Sequence, residues 1–378
     1  MSSKPRINYI DNLRIYLTVI VILHHLMITY GAPGGWYYRE FEYSQLDIFS
    51  LTSLVLITAA NQAYFMGFFF FISGYFSSKS LTSKTPSQFF WGRIFRLGLP
   101  ILLFVYLVSP LLRVIFKRIM FDHPVNLSSF IMIYQQLEFG YELGPMWFVL
   151  LLLILSMLFI PWSMNPKFSS LFQGIPSPLK ILLFALFTGI STFLIRIYFP
   201  VGYVFQPLNL QTPHVLQYIF LFFMGIVAFH GKWFDHLELI FSRSWLYLIL
   251  GLLLSMPIIF VLSGGLEGDL GPALGGFHWQ SFAYSLWEQL FCVSIIITGL
   301  FYFHKYVNSS SWLSREIADS SYAAFIIHPL VLVTYSALIH QSSLHPLLKI
   351  CLSILPVLFM VFLAAAILRR FPGLKYIL

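Results

Sequence analysis

Apolar runs of roughly 20 residues recur from one end of the chain to the other, each long enough to cross a hydrocarbon core about 30 Å thick as an α-helix. In lipid the backbone finds no water to bond with, so such a run folds as a helix, which satisfies its own N–H and C=O groups. The runs lie near residues 12–30, 52–76, 97–116, 146–164, 179–199, 214–231, 245–263, 279–303, 321–341 and 346–368. They predict an all-α fold, a polytopic membrane helix bundle of about ten transmembrane helices forming one domain over residues 1–378. Pro110 in the third run and Pro257 in the seventh predict kinks or local breaks, because proline has no N–H to donate and crowds the carbonyl four residues back. The longest connecting segment, from about Lys117 to Pro145, is too short for a globular domain, so helices and short loops must carry any chemistry. No inverted or parallel repeat of the transporter kind stands out.

Composition agrees with the pattern. The chain is 58% hydrophobic and 10% charged, where a soluble domain carries about a quarter charged residues. Lys4 and Arg6 before the first run look like the start of a signal peptide, but no small-residue cleavage pattern follows Ile28, so the run reads as an uncleaved helix. The net charge of +8 sits in scattered short segments with no continuous basic stripe, which points to topology and away from nucleic acid. With the N-terminus in the cytoplasm, the inside segments hold Lys4, Arg6, Lys79, Lys84, Arg93, Arg96, Lys167, Lys180, Lys232, Arg243, Lys305, Arg315, Arg369, Arg370 and Lys375. The outside segments hold Arg39, Arg113, Lys117, Arg118 and Arg196, a bias that places both termini in the cytoplasm. Glu40, Glu42, Asp47, Asp122, Glu138, Glu142, Glu267 and Asp269 then make a polar outer mouth. Cys292 and Cys351 lie in apolar runs and suggest neither a disulfide framework nor a thiolate metal site. No histidine pair has the i, i+4 spacing with a carboxylate typical of metal ligands, so no metal is expected.

An ionisable side chain inside a span costs roughly 2.5–3.5 kcal/mol at the bilayer centre, which makes each one a candidate for function. Asp11, Arg14 and His25 share one stripe of the first helix. Eleven steps of about 100° bring His25 to within about 20° of Arg14, and Asp11 lies about 40° to the other side of His25. His24 points about 100° away, so His25 is the imidazole expected on the Arg14 face. The plainer reading bonds His25 to an adjacent helix and makes Arg14 a topology anchor. Arg93 and Arg96, three residues apart, either form a fork for phosphate groups or anchor lipid headgroups. Trp147, in Gly144-Pro145-Met146-Trp147-Phe148, suits an interfacial aromatic belt. Glu288, about ten residues into the eighth span, needs a partner, a watery cavity or a proton. Ser320-Ser321-Tyr322 reads as the capped start of the ninth span, which puts His328 about two turns in and bonded to a neighbouring helix. Trp36, Tyr37 and Tyr38 suit sugar stacking and an interfacial belt equally.

Together and in this order, these clusters resemble the acyltransferase family 3 membrane proteins, which move acyl groups onto extracytoplasmic glycans and related acceptors. The likeness rests on Ile10-Asp11-Asn12-Leu13-Arg14 with His25 after a gap of ten residues, on Phe71-Ile72-Ser73-Gly74-Tyr75, and on Arg93-Ile94-Phe95-Arg96. It continues in Tyr284-Ser285-Leu286-Trp287-Glu288 and in Ser321-Tyr322 through His328-Pro329, so it spans the whole chain. The nearest likeness is to the branch that succinylates or otherwise acylates periplasmic glucans. The resemblance implies a multi-pass O-acyltransferase of the bacterial inner (plasma) membrane, using cytoplasmic acyl-CoA, acetyl-CoA or succinyl-CoA, and an extracytoplasmic glycan or other hydroxyl acceptor. It implies catalytic roles for His25, Arg14, Asp11 and Glu288, acyl-CoA binding by Arg93 and Arg96, and substrate binding by Trp147, Tyr322 and His328. His25 would be the base that deprotonates the acceptor hydroxyl, or would carry the acyl group itself. The alternative is a transporter or flippase in which Asp11, Arg14, His25 and Glu288 form a polar pathway.

Overall fold

The structure is a computed structural model that describes residues 6–137, 139–165 and 174–377; Lys4, Glu138 and Lys167, used above to read topology, lie outside them. Ten helices among the described residues are long and apolar enough to cross a membrane. They are α1 (Asn8–Thr29), α2 (Ile48–Leu81), α3 (Pro86–Phe121), α4 (Gly144–Ser163) and α5 (Pro178–Arg196), followed by α6 (Thr212–His230), α7 (Arg243–Leu262), α8 (Trp279–Tyr306), α9 (Trp312–Leu338) and α10 (Pro346–Leu368). Helix makes up 76% of the structure. A two-residue antiparallel ladder joins Val204 to Gln211 and Phe205 to Leu210 between α5 and α6. Each predicted run became one of these helices, and an even number of crossings among the described residues leaves the start of α1 and the end of α10 on one face.

Local chemistry sets the helix starts. Asp47 caps α2 by accepting the Ser50 N–H at 2.9 Å, and Thr85 with Gln88 forms a capping box before Pro86 of α3. Ser311 and Ser314 form another at α9. This corrects the ninth span: the cap is Ser311, so α9 begins at Trp312, and Ser320, Ser321 and Tyr322 lie inside the helix instead of opening it.

Neither Pro110 nor Pro257 ends its helix, although the chain leaves the regular α-helical pattern just before Pro110. α7 runs continuously through Pro257. α3 passes its two interior prolines, Pro100 and Pro110, by widening into π-turns at Ile94–Gly98 and Phe104–Val108, each ending two residues before a proline. Proline still leaves the carbonyl four residues back without a helix donor, and side chains take that place. The Tyr322 hydroxyl donates to the Arg96 carbonyl (3.1 Å), which Pro100 frees. The Tyr134 hydroxyl donates to the Tyr106 carbonyl (2.6 Å), which Pro110 frees.

Packing separates inner helices from outer ones. Within their apolar windows α1, α2 and α8 are 56% buried and α9 is 67% buried, whereas α5, α7 and α10 are 22–28% buried and face lipid. α1 packs against α2, α8, α9 and α10, burying Leu13, Leu17, Ile22 and Leu26 completely. The tightest crossing is α2 on α6. A Cβ on Gly74 would stand 1.9 Å from the Phe222 carbonyl oxygen, and one on Gly225 would stand 2.0 Å from that of Phe71, so only glycine lets the two backbones meet.

Candidate active site

His25 and His328 meet between α1 and α9. The Phe325 carbonyl, four residues before Pro329, is a third one without a helix donor. His328 Nδ1 lies 2.6 Å from it, and to bond there Nδ1 must carry the proton. A neutral imidazole protonated at Nδ1 offers only a lone pair at Nε2. That Nε2 lies 3.0 Å from His25 Nδ1, so His25 Nδ1 is the donor and His25 Nε2 is left with a lone pair. The tautomers follow from this hydrogen-bond logic. His328 is fully buried, while His25 retains some exposure. His24 turns away to pack on Phe65, with ring centroids 5.0 Å apart. The wheel argument for His25 over His24 matches this division.

Trp36 completes the cluster from the α1–α2 loop. Its indole stacks on His25 with centroids 4.0 Å apart and planes 15° apart, and it lies 5.7 Å from His328. The neighbouring Tyr37 is seated against Gly144, where a Cβ would stand 1.8 Å from its hydroxyl oxygen; Gly144 also has φ +46°. Burial pushes the Tyr37 hydroxyl pKa up, and the nearby Glu142 charge adds to the shift. Glu142 is itself buried and accepts from Ser109 and Arg113.

At the other end of α1 the charges are dense. Arg14 lies 3.9 Å from Asp11 and within electrostatic reach of Arg96, Arg6 and Asp319. Arg6 pairs with Asp11 at 3.1 Å and also with Asp319, and those carboxylates raise its pKa, Asp319 most. Arg369 reaches Asp319 and Glu316 at 3.7 and 3.8 Å. A π-turn begins at Ile94, between Arg93 and Arg96, yet both stay within electrostatic reach of the Tyr322 hydroxyl and of each other. Arg93 donates to Ser77 Oγ at 2.7 Å and lies over the Phe89 ring, whereas Arg96 is exposed. Tyr322 fixes this segment through the Arg96 carbonyl. Asp11 belongs to this charged end, about 21 Å along α1 from His25, too far to orient it.

Glu288 is tied up elsewhere. It is fully buried and accepts from Arg196 (2.7 Å) and Gln289 (3.2 Å), with His214 Nδ1 3.2 Å from its other oxygen. Arg196, expected in an outside segment, is also fully buried at the end of α5, donates to Ser285 Oγ at 3.3 Å, and lies over the Tyr284 ring. A buried carboxylate needs such a partner, and the sequence shows both charges without showing that they meet. Trp147 is buried against Tyr218, with centroids 5.4 Å apart, and no ring contact joins it to His25 among the described residues. Lys349 is buried at the start of α10 and pairs with Glu40. Among the described residues no group of three His, Cys, Asp or Glu is placed to hold a metal. A cavity of about 190 Å³ beside Leu221, Val293 and Ile297 is lined almost wholly by apolar side chains and shares no residue with these clusters.

No curated protein and no solved structure matches the chain significantly. A family model does: that of acyltransferase family 3, described as Acyltransferase domain, matches residues 7–369 and so takes in α1 to α10 with the histidine pair at one end of α1 and the arginine cluster at the other. Nearly the whole chain is matched, and the protein belongs to the acyltransferase family 3 and is a multi-pass membrane acyltransferase.

Proposed function

We propose that the protein transfers an acetyl or succinyl group from cytoplasmic acyl-CoA to a hydroxyl of an extracytoplasmic glycan, with glucans of the periplasm as the first acceptors to try. The observation that carries this reading is the bare Nε2 of His25, held by the His328 bond on the helix that carries Arg14 at its other end. Arg14 and Arg96 would receive the phosphates of CoA, with Arg93 behind them, since guanidinium groups match phosphate in shape and charge. About 16 Å of α1 separates Arg14 from His25, a span for the extended pantetheine arm to cover. The positive-inside bias supports an orientation with the arginine end in the cytoplasm and the histidines in the outer half of a bacterial inner membrane.

A hydroxyl is a poor nucleophile until its proton leaves. His25 Nε2 would accept that proton while the oxygen attacks the thioester carbonyl, a contribution of roughly 10²–10⁴-fold for a well-placed base. The His25 imidazolium would then return the proton to the departing thiolate, giving ester and free CoA. The test uses purified protein in liposomes with radiolabelled acetyl-CoA or succinyl-CoA and glucan oligosaccharides. Label should appear on the glucan with wild type and not with a folded His25→Ala variant. Full transfer by that variant overturns the base assignment. Passage of unmodified glucan across the liposome without acylation would favour a carrier.

A further inference from the structure

The α1–α2 loop turns back on α1, with the Ala32 N–H bonded to the Met27 carbonyl and the Glu40 N–H bonded to the Thr29 carbonyl. This return lays the Trp36 indole flat on His25. The Trp36 Nε1–H is out of contact with solvent, yet it has no hydrogen-bond partner among the described residues. Stacking would be served equally well by a phenyl ring, so the N–H is the unexplained part. A buried donor without a partner is destabilising, and an incoming acceptor relieves that cost. With ring centroids 4.0 Å apart, the indole that carries this donor lies against the ring whose bare Nε2 the reacting carbon must approach.

We propose that the Trp36 indole N–H is the acyl-carbonyl subsite of this enzyme, the donor that receives the thioester oxygen and stabilises the oxyanion formed on attack. This rests on the acyl-transfer reading given above. When the deprotonated hydroxyl bonds to the thioester carbon, the carbonyl π pair moves onto oxygen, and Trp36 Nε1–H bonds to that oxygen. The pair then returns, the carbon–sulfur bond breaks, and the thiolate leaves with the proton from His25. Trp36 therefore touches the reacting atoms from a ring that stacks on His25 and lies 5.7 Å from that of His328. Tyr37, wedged against Gly144, holds the loop that presents it.

Two replacements remove the N–H while keeping an aromatic face: Trp36→Phe, and a benzothienyl-alanine placed at position 36, which retains the bicycle should Phe loosen the loop. Wild type, both variants and His25→Ala are compared for label transfer from radiolabelled acetyl-CoA and succinyl-CoA, with KM and kcat measured separately and folding checked by thermal melting. The proposal predicts a kcat lower by roughly 10²–10³-fold in both replacements, with KM for acyl-CoA unchanged. Wild-type kcat in the benzothienyl form, with His25→Ala inactive, overturns the subsite and leaves the base intact. Equal activity in His25→Ala and wild type overturns the acyl-transfer reading of His25, and the subsite falls with it.

Discussion

Removing one member of the Arg196–Glu288 pair is a stringent test of how the bundle is held. Both side chains are fully buried, and the 2.7 Å bond between them is the shortest polar contact either makes. Arg196→Met leaves the Glu288 carboxylate with Gln289 as a hydrogen-bond donor and His214 3.2 Å away, and no full positive charge from Arg196. An uncompensated buried charge of this kind costs about 3–5 kcal/mol. Glu288→Gln is milder, because a neutral amide can still accept from Arg196, and a cost of about 1–3 kcal/mol is expected. In the double variant neither charge remains, and replacing a whole buried pair by neutral groups is often close to neutral. The double variant should therefore be more stable than Arg196→Met alone, which requires a coupling in the double-mutant cycle larger than the cost of Glu288→Gln by itself. The assay is denaturant unfolding in detergent micelles, followed by circular dichroism, with acyl transfer measured in parallel. Strictly additive costs would refute the coupling. Loss of transfer in Glu288→Gln at undiminished stability would refute the structural role and return Glu288 to the reacting groups.

Pro329→Ala supplies a backbone N–H that competes with His328 for the Phe325 carbonyl; kcat should fall about 10–100-fold while thermal stability holds or rises, because loss of an orienting partner typically costs that much activity. A fall in stability with unchanged kcat would count against the tautomer argument. Gly74→Ala drives a methyl into the Phe222 carbonyl and should cost more than about 3 kcal/mol, whereas Gly251→Ala, with nothing within 4 Å, should be neutral; unfolding curves of the two decide. Arg96→Ala should raise the Kd for acyl-CoA and flatten its dependence on salt without loss of stability, while Arg93→Ala should also lower stability because it strips Ser77 of its donor. Titration of CoA at low and high salt separates them.

Much of this was legible in the amino-acid order. Ten apolar runs became ten helices because lipid allows a spanning segment few other folds. The stripe that carries Arg14 and His25 was readable because both lie on one regular helix, where spacing alone gives the angle. The ninth span was misplaced by about two turns, since any serine offers a cap and only Ser311 has the box partner and helix geometry that make it one. The fork of Arg93 and Arg96, one of two readings, was taken from α-helical spacing, and the π-turn that begins between them changes that spacing. Contacts between distant segments were beyond the sequence altogether. His25 and His328 are 303 residues apart and Arg196 and Glu288 are 92 apart, and each pair meets through the packing of separate helices. The chain determines which groups are too costly to leave alone in a membrane, because that cost belongs to the residue and its span. Only the tertiary structure decides which of them meet and which nitrogen is left free, because partners are chosen by the crossing of helices far apart in the chain.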